Sequence, residues 1–239
     1  MKNNKIILIL LVGMIVVNGT YITYQLLGRN TNVVEEKQST YILDLVHVNR
    51  LVEQYKGIFD NGESLINNLY SKDEFQTKEF TISQKQHMVV NELKSSFSKA
   101  DYEKKYKELF GSNSIVENDD ILMSEGGKVL YFYNKEEEKY TFNEEAIFGV
   151  TDFVSLERDI IKVIKKDNEL IVTAAVGKSE ENYDNHNYHL YTLNNVDLGI
   201  LYDGDMKNYY DKLDKFDHCF NYDKETNNYY LEKIVKNKN

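Results

Sequence analysis

The apolar residues of this chain change their period near residue 121, and nothing else in the sequence limits the possible folds as strongly. Before that point they recur three and four apart, the spacing that lines one face of a helix. After it they alternate with polar residues, the period of a half-buried strand. In the first part, Ser39 or Thr40 is placed to cap a helix whose Ile42, Leu45, Val46, Val48, Leu51, Val52 and Tyr55 form one face up to Gly57. A second short helix fits residues 63–70, and residues 75–82 alternate as a brief strand would. Ser83 opens a helix with Met88, Val89, Leu93 and Phe97 on one side. Ser98 opens the next, with Asp101 at its third position, Tyr102, Tyr106, Leu109 and Phe110 inward, and Gly111 as its stop.

The second part predicts three hairpins. Residues 129–134 and 139–142 flank one turn, residues 160–166 and 170–176 flank Asp167, Asn168 and Glu169, and residues 216–222 and 229–235 flank a turn at 224–228. Between them, residues 188–193 read as a strand and residues 208–213 as a helical turn. Helices first and antiparallel hairpins afterwards predict an α+β fold: an N-terminal transmembrane helix, then several helices packed on one face of a curved antiparallel sheet.

That fold must hold by packing alone. Cys219 is the single cysteine, so no intramolecular disulfide can form. The chain has no proline, which leaves its turns to Gly, Asp and the abundant Asn. A 41% hydrophobic content with 19 Tyr and 11 Phe is enough for a real core. Setting aside Lys2 and Lys5 leaves 27 basic against 39 acidic residues, a net charge of −12 beyond Gly28. No basic stripe offsets this, which excludes nucleic acid as a partner, because such binding draws on Lys and Arg neutralising phosphates.

The N-terminus carries Lys2 and Lys5 before an unbroken apolar and Gly run at residues 6–17, and apolar character continues with interruptions to Leu27. A helix over residues 6–27 would be about 33 Å long, sufficient for a hydrocarbon core of about 30 Å. Residues 1–28 are therefore expected to be a transmembrane anchor or uncleaved signal, with the lipid bilayer as partner through residues 6–27. Residues 29–39 follow as a spacer and residues 40–239 as a single extracytoplasmic domain. Basic residues precede the span while Glu35 and Glu36 follow it, which places the N-terminus in the cytoplasm and the C-terminal domain outside the cell membrane. A cleaved signal peptide is the competing expectation.

The order of basic N-terminus, single span, the segment ADYEKKYKELFG at residues 100–111, a hairpin, and NNYYLEKIV at residues 227–235 resembles uncharacterised single-pass surface-anchored proteins of low-GC Gram-positive bacteria. The layout also resembles the nuclear-transport-factor-like, or cystatin-like, α+β cone. The resemblance implies a fold with a pocket and no particular reaction.

Candidate chemistry is sparse. His186 and His189, with Asp184, Glu180 and Glu181 nearby, are the one cluster of metal-ligating types, but residues three apart on a strand point to opposite faces. Asn221, Asp223, Glu225 and Glu232 fit four places of a calcium-loop register, yet Thr226 stands where that loop needs Gly. Asp203 and Asp205 flank Gly204 as in a turn. His218 and Cys219 are adjacent, which on a strand separates them rather than pairing them. No nucleophile-elbow, phosphate-loop or dinucleotide motif occurs. The expectation is a non-catalytic domain that binds an unknown protein or small ligand at the cell envelope through a Tyr-lined sheet face (Tyr131, Tyr133, Tyr140, Tyr188, Tyr191, Tyr229, Tyr230), with no catalytic, cofactor or metal residues assigned. The alternative is a metal- or carboxylate-dependent hydrolase acting on envelope material.

Overall fold

A computed structural model of the chain describes residues 32–34, 45–57, 60, 62–93, 95–123, 127–146, 154–182, 187–202 and 205–238. The chain divides into a short unit, Met1–Asn32, and a larger one, Val33–Asn239, and the architecture below is that of the larger unit. After a three-residue strand β1 (Asn32–Val34) come helix α1 (Leu45–Glu53) and helix α2 (Gly62–Leu65), which runs into a π-helical turn at Ile66–Tyr70. Strand β2 (Glu74–Gln76) and helix α3 (Ile82–Asn91) follow. Next are β3 (Ser96–Ser98), helix α4 (Lys99–Phe110) and the strands β4 (Ile121–Leu122), β5 (Val129–Asn134) and β6 (Lys139–Phe142). The chain then continues as β7 (Val154–Lys166), β8 (Glu169–Asn182), β9 (Asn187–Tyr191), β10 (Asp197–Ile200), β11 (Asp214–Asp223) and β12 (Asn228–Lys236).

The strands form two antiparallel sheets. In the larger, β7, β8, β11, β12 and β2 lie side by side, and β9 and β10 extend from β8. In the smaller the order is β3, β6, β5, β4. The expected α+β arrangement is thus corrected: the protein is mostly β, with two sheets where one was expected. The four described α-helices are short, 4 to 12 residues, whereas β7 and β8 run for 13 and 14. Helix α4 touches β12 of the larger sheet and β3 of the smaller, so the helices do not all cover one face of a single sheet. The physical reason lies at Phe97. Its spacing from Leu93 extends a helical stripe, but the residue instead sits on β3, pairs with Tyr140 of β6 and starts the second sheet. Residues 75–82 also depart from expectation, since β2 ends at Gln76 and Ile82 opens α3 as an exposed residue.

A further correction concerns the membrane. No helix among the described residues is long and apolar enough to cross one, so the expected transmembrane helix and signal anchor find no support. Residues 1–28, on which they were placed, lie outside the described residues.

Local signals explain the helix starts. Thr81 Oγ1 accepts from Gln84 N at 3.2 Å while Gln84 Oε1 accepts from Thr81 N at 2.9 Å, a capping box at α3. Ser98 and Asp101 do the same at α4, which ends at Gly111 with φ 89°. Each cap contributes about 1 kcal/mol.

Strand β8 organises the larger sheet. One edge pairs with β7 along nearly its whole length. The other edge is shared: Glu169–Val176 pair with β11, and Lys178–Asn182 pair with β9. The larger sheet therefore forks at Gly177, and the reason for glycine there is space. A Cβ at Gly177 would lie 2.9 Å from the Tyr191 carbonyl oxygen and 3.0 Å from Leu213 Cδ2. Alternate residues of β8 feed different cores. Leu170, Val172, Ala174 and Val176 join the main core with Phe216 and Phe220, while Ala175 joins Leu190, Met206 and Leu213 in a smaller one.

Within the main core, aromatic rings bridge α4 to the smaller sheet. Tyr140 lies 5.1 Å from Phe97, 4.9 Å from Tyr102 and 4.7 Å from Tyr133 between ring centroids. Such pairs add about 0.5–1.5 kcal/mol each beyond their area burial.

Gly177→Ala is expected to destabilise the protein by about 1–3 kcal/mol, because the new methyl group must displace strand backbone. Urea unfolding monitored by circular dichroism measures this, and an unchanged midpoint would show that the fork tolerates a wider separation.

Candidate functional site

Among the described residues, two clefts lie along the helices. The larger, about 420 Å³, is bounded by Arg50 of α1, by Glu92, Leu93, Ser96 and Phe97 between α3 and α4, and by Asp101, Lys104, Lys105 and Glu108 of α4. Its charges are already matched. Arg50 and Lys105 meet Glu92 at 3.8 and 3.5 Å, Lys105 and Lys104 meet Glu108 at 3.7 and 4.0 Å, and Asp101 is engaged by Ser98. A ligand there would compete with existing ion pairs.

The second cleft, about 300 Å³, differs in that respect. Helix α3 contributes Ile82, Lys85 and Gln86, helix α4 contributes Tyr102 and Tyr106, and the segment after Gly111 contributes Ser114, Ile115 and Glu117. Tyr102 and Tyr106 are four apart and share the inward face of α4; both are buried. The Tyr102 hydroxyl is buried and has no hydrogen-bond partner among the described residues, although the residue as a whole is 0% exposed. The Gln86 side chain approaches the hydroxyl closely enough to lower its pKa slightly as a hydrogen-bonding neighbour, short of a well-formed hydrogen bond. Burial, with the neighbouring Tyr140 and Tyr106, raises the Tyr102 pKa far above the ordinary phenol value, so the hydroxyl keeps its proton and is a donor in want of an acceptor. Lys85 Nζ lies 5.5 Å from the centroid of the Phe110 ring, and burial lowers its pKa. Ile82 and Ile115 are 52% and 85% exposed.

Tyr55 shows what a satisfied buried phenol looks like in the same fold. Its hydroxyl donates to the Leu109 carbonyl at 2.7 Å and accepts from Leu231 N at 2.6 Å, tying the end of α4 to β12.

A polar chain runs from the exposed Glu53 carboxylate into the core. Glu53 Oε2 accepts from Arg158 Nη2 at 2.5 Å, and Arg158 Nη1 donates to the Tyr70 hydroxyl at 3.3 Å. Tyr70 Oη lies 2.8 Å from His218 Nε2, and His218 Nδ1 lies 3.2 Å from the Val172 carbonyl. The carbonyl can only accept, which assigns the ring proton to Nδ1 and leaves Nε2 to accept from Tyr70. Burial, then the Arg158 charge, pushes the His218 pKa down to about 3. The imidazole is 2% exposed, so this chain orients core elements and does not reach a substrate.

The residues singled out by sequence are not gathered into one site. His186, Asp184 and Asp203 lie outside the described residues. His189 Nδ1 faces Asp197 Oδ2 at 3.2 Å, and Glu180 is paired with Lys178 at 2.9 Å. No group of three or more His, Cys, Asp or Glu side chains among the described residues is placed to hold a metal ion. Asp223 serves a turn, accepting from Ser112 N, Glu225 N and Thr226 N, while Asn221 and Glu232 stand on β11 and β12. Asp205 Oδ1 accepts from Lys207 N. His218 points into the main core whereas half-buried Cys219 points away from it, and burial pushes the Cys219 thiol up to about 11, so they form no nucleophilic pair. Of the sheet tyrosines, Tyr131, Tyr140 and Tyr229 are core and Tyr188 is exposed. The cleft residues were legible only as a helix face. The available signals were Gln86 among the apolar positions of α3 and Ile115 alone in a polar segment.

No known protein family, curated protein or solved structure matches this chain. The resemblance to surface-anchored proteins and to the cystatin-like cone therefore rests on the sequence layout alone.

Two hydroxyl deletions should behave oppositely. Tyr55→Phe strands the Leu109 carbonyl and the Leu231 amide and is expected to cost about 2 kcal/mol or more, whereas Tyr102→Phe removes an unpartnered group and should leave stability unchanged or slightly higher. Chemical denaturation of both variants decides it; an equal loss in both would mean that the Tyr102 hydroxyl has a partner. The His218 pKa also sets a pH dependence. Because its folded pKa lies below the ordinary value of about 6.5, the unfolded chain binds the proton first, so the stabilisation is complete above about pH 6.5 and is lost as pH falls toward 3. The slope approaches about 1.4 kcal/mol per pH unit. His218→Gln should flatten the urea midpoint between pH 6.5 and 5, leaving the smaller slope of His87, whose pKa burial also lowers.

Proposed function

We propose that this protein is a non-catalytic binding domain whose site is the cleft between α3 and α4. The observation that carries the reading is the Tyr102 hydroxyl, a buried donor without a partner at the wall of an open cleft. An unsatisfied buried hydroxyl costs about 1–3 kcal/mol, and a ligand acceptor would recover that cost on binding. The cleft volume falls at the lower end of the range for small-molecule sites, about 300–1,000 Å³, and its walls combine aromatic rings with a few polar groups in the usual way. An extracytoplasmic location belongs to the same proposal and is supported only by the basic and apolar order of residues 2–17.

Ligand-observed NMR of the full-length chain against a fragment set of neutral, anionic, cationic and zwitterionic members tests this reading. Fragments should bind in the cleft and be displaced by Ser114→Phe, which adds bulk at its wall. Binding that persists in that variant would place the site elsewhere, and chemical turnover of any fragment would move a hydrolase to first place.

A further inference from the structure

Taking the α3–α4 cleft as the binding site, we propose that its ligand is a free α-amino acid with an apolar side chain. The charges of the cleft lead there. Lys85 and Glu117 are its one cation and one anion, and neither makes an ion pair among the described residues. The neighbouring cleft, by contrast, consumes all its bases in ion pairs with its acids. A ligand carrying only a carboxylate would meet Lys85 favourably and Glu117 unfavourably; an amine alone would meet the reverse. A zwitterion satisfies both, and its carboxylate supplies the acceptor that Tyr102 lacks. The exposed side chains of Ile82 and Ile115 offer apolar surface to the rest of the molecule. A volume of about 300 Å³ admits one amino acid and little more.

The probes are L-phenylalanine, L-leucine, phenylacetate and 2-phenylethylamine, titrated by ligand-observed NMR into the full-length protein. Both amino acids should bind more tightly than either half-molecule. Lys85→Gln should remove most of the advantage of L-phenylalanine over 2-phenylethylamine, about fivefold, and Glu117→Gln most of its advantage over phenylacetate, about threefold because Glu117 is exposed. Tyr102→Phe should weaken both amino acids several-fold at an unchanged melting temperature. Equal binding of a half-molecule, or amino-acid binding indifferent to these three substitutions, would overturn the proposal. Should other fragments occupy the cleft while both amino acids fail, the amino-acid ligand is wrong and the binding-site reading survives. Should nothing bind in the cleft, both fall together.

Discussion

The pairing of β8 along both edges is the constraint on which the rest of the structure depends. A strand with β7 on one side and two different strands on the other has no free edge at which to slip, so its register is fixed by every neighbour at once. Its alternating side chains then fix which residues face which core. The main core receives Val172 and Val176, the smaller one receives Ala175, and both are set by a single strand. With one cysteine and no disulfide, this shared strand provides the cross-linking that a covalent staple would supply in a smaller disulfide-bonded fold.

Polar groups in the core reinforce that arrangement because they are directional. The run from Glu53 through Arg158 and Tyr70 to His218 and the Val172 carbonyl crosses from α1 to β7, to the end of the α2 segment, and into β11 and β8. Apolar contacts alone would allow these elements to slide, whereas each hydrogen bond here has one geometry. The cost is the desolvation of a guanidinium and an imidazole, which the fold meets by keeping His218 neutral and giving Arg158 a carboxylate. Arg158 Nε nonetheless has no partner among the described residues, so the compensation is incomplete.

The second half of the chain was more legible in the sequence than the first, for a physical reason. Hairpins are local, and each carries its own turn signal. The turn pairs expected at 135–138, 167–169 and 224–228 all join the strands anticipated, with left-handed residues Glu138, Asp167 and Asn227. Ser98 likewise announces α4 from four residues, whereas the helix expected from Ser83 begins two positions earlier, capped by Thr81. What eluded the sequence was long-range. Phe97 continues a helical stripe and yet belongs to a strand, because Tyr140, 43 positions later, offers it a partner and an aromatic stack. Period alone cannot weigh a local pattern against such a contact. The cleft was hidden similarly. Tyr102 and Tyr106 form an apolar helix face by pattern, and only the three-dimensional arrangement leaves one phenol satisfied at Tyr55 and another without a partner at Tyr102.

The position of β12 in the chain has a consequence for how the protein is made. This strand pairs with β11 on one side and β2 on the other, and its Leu231 amide meets the Tyr55 hydroxyl, 176 positions earlier. Until Asn228–Lys236 has emerged from the ribosome, β2 has no partner strand, Tyr55 lacks one of its two hydrogen bonds, and Phe220 lacks one of the two strands that flank it. Helices and hairpins can form during synthesis, but the main core closes only after this strand arrives. Until it does, the nascent chain leaves aromatic surface uncovered, the condition under which a chaperone matters most.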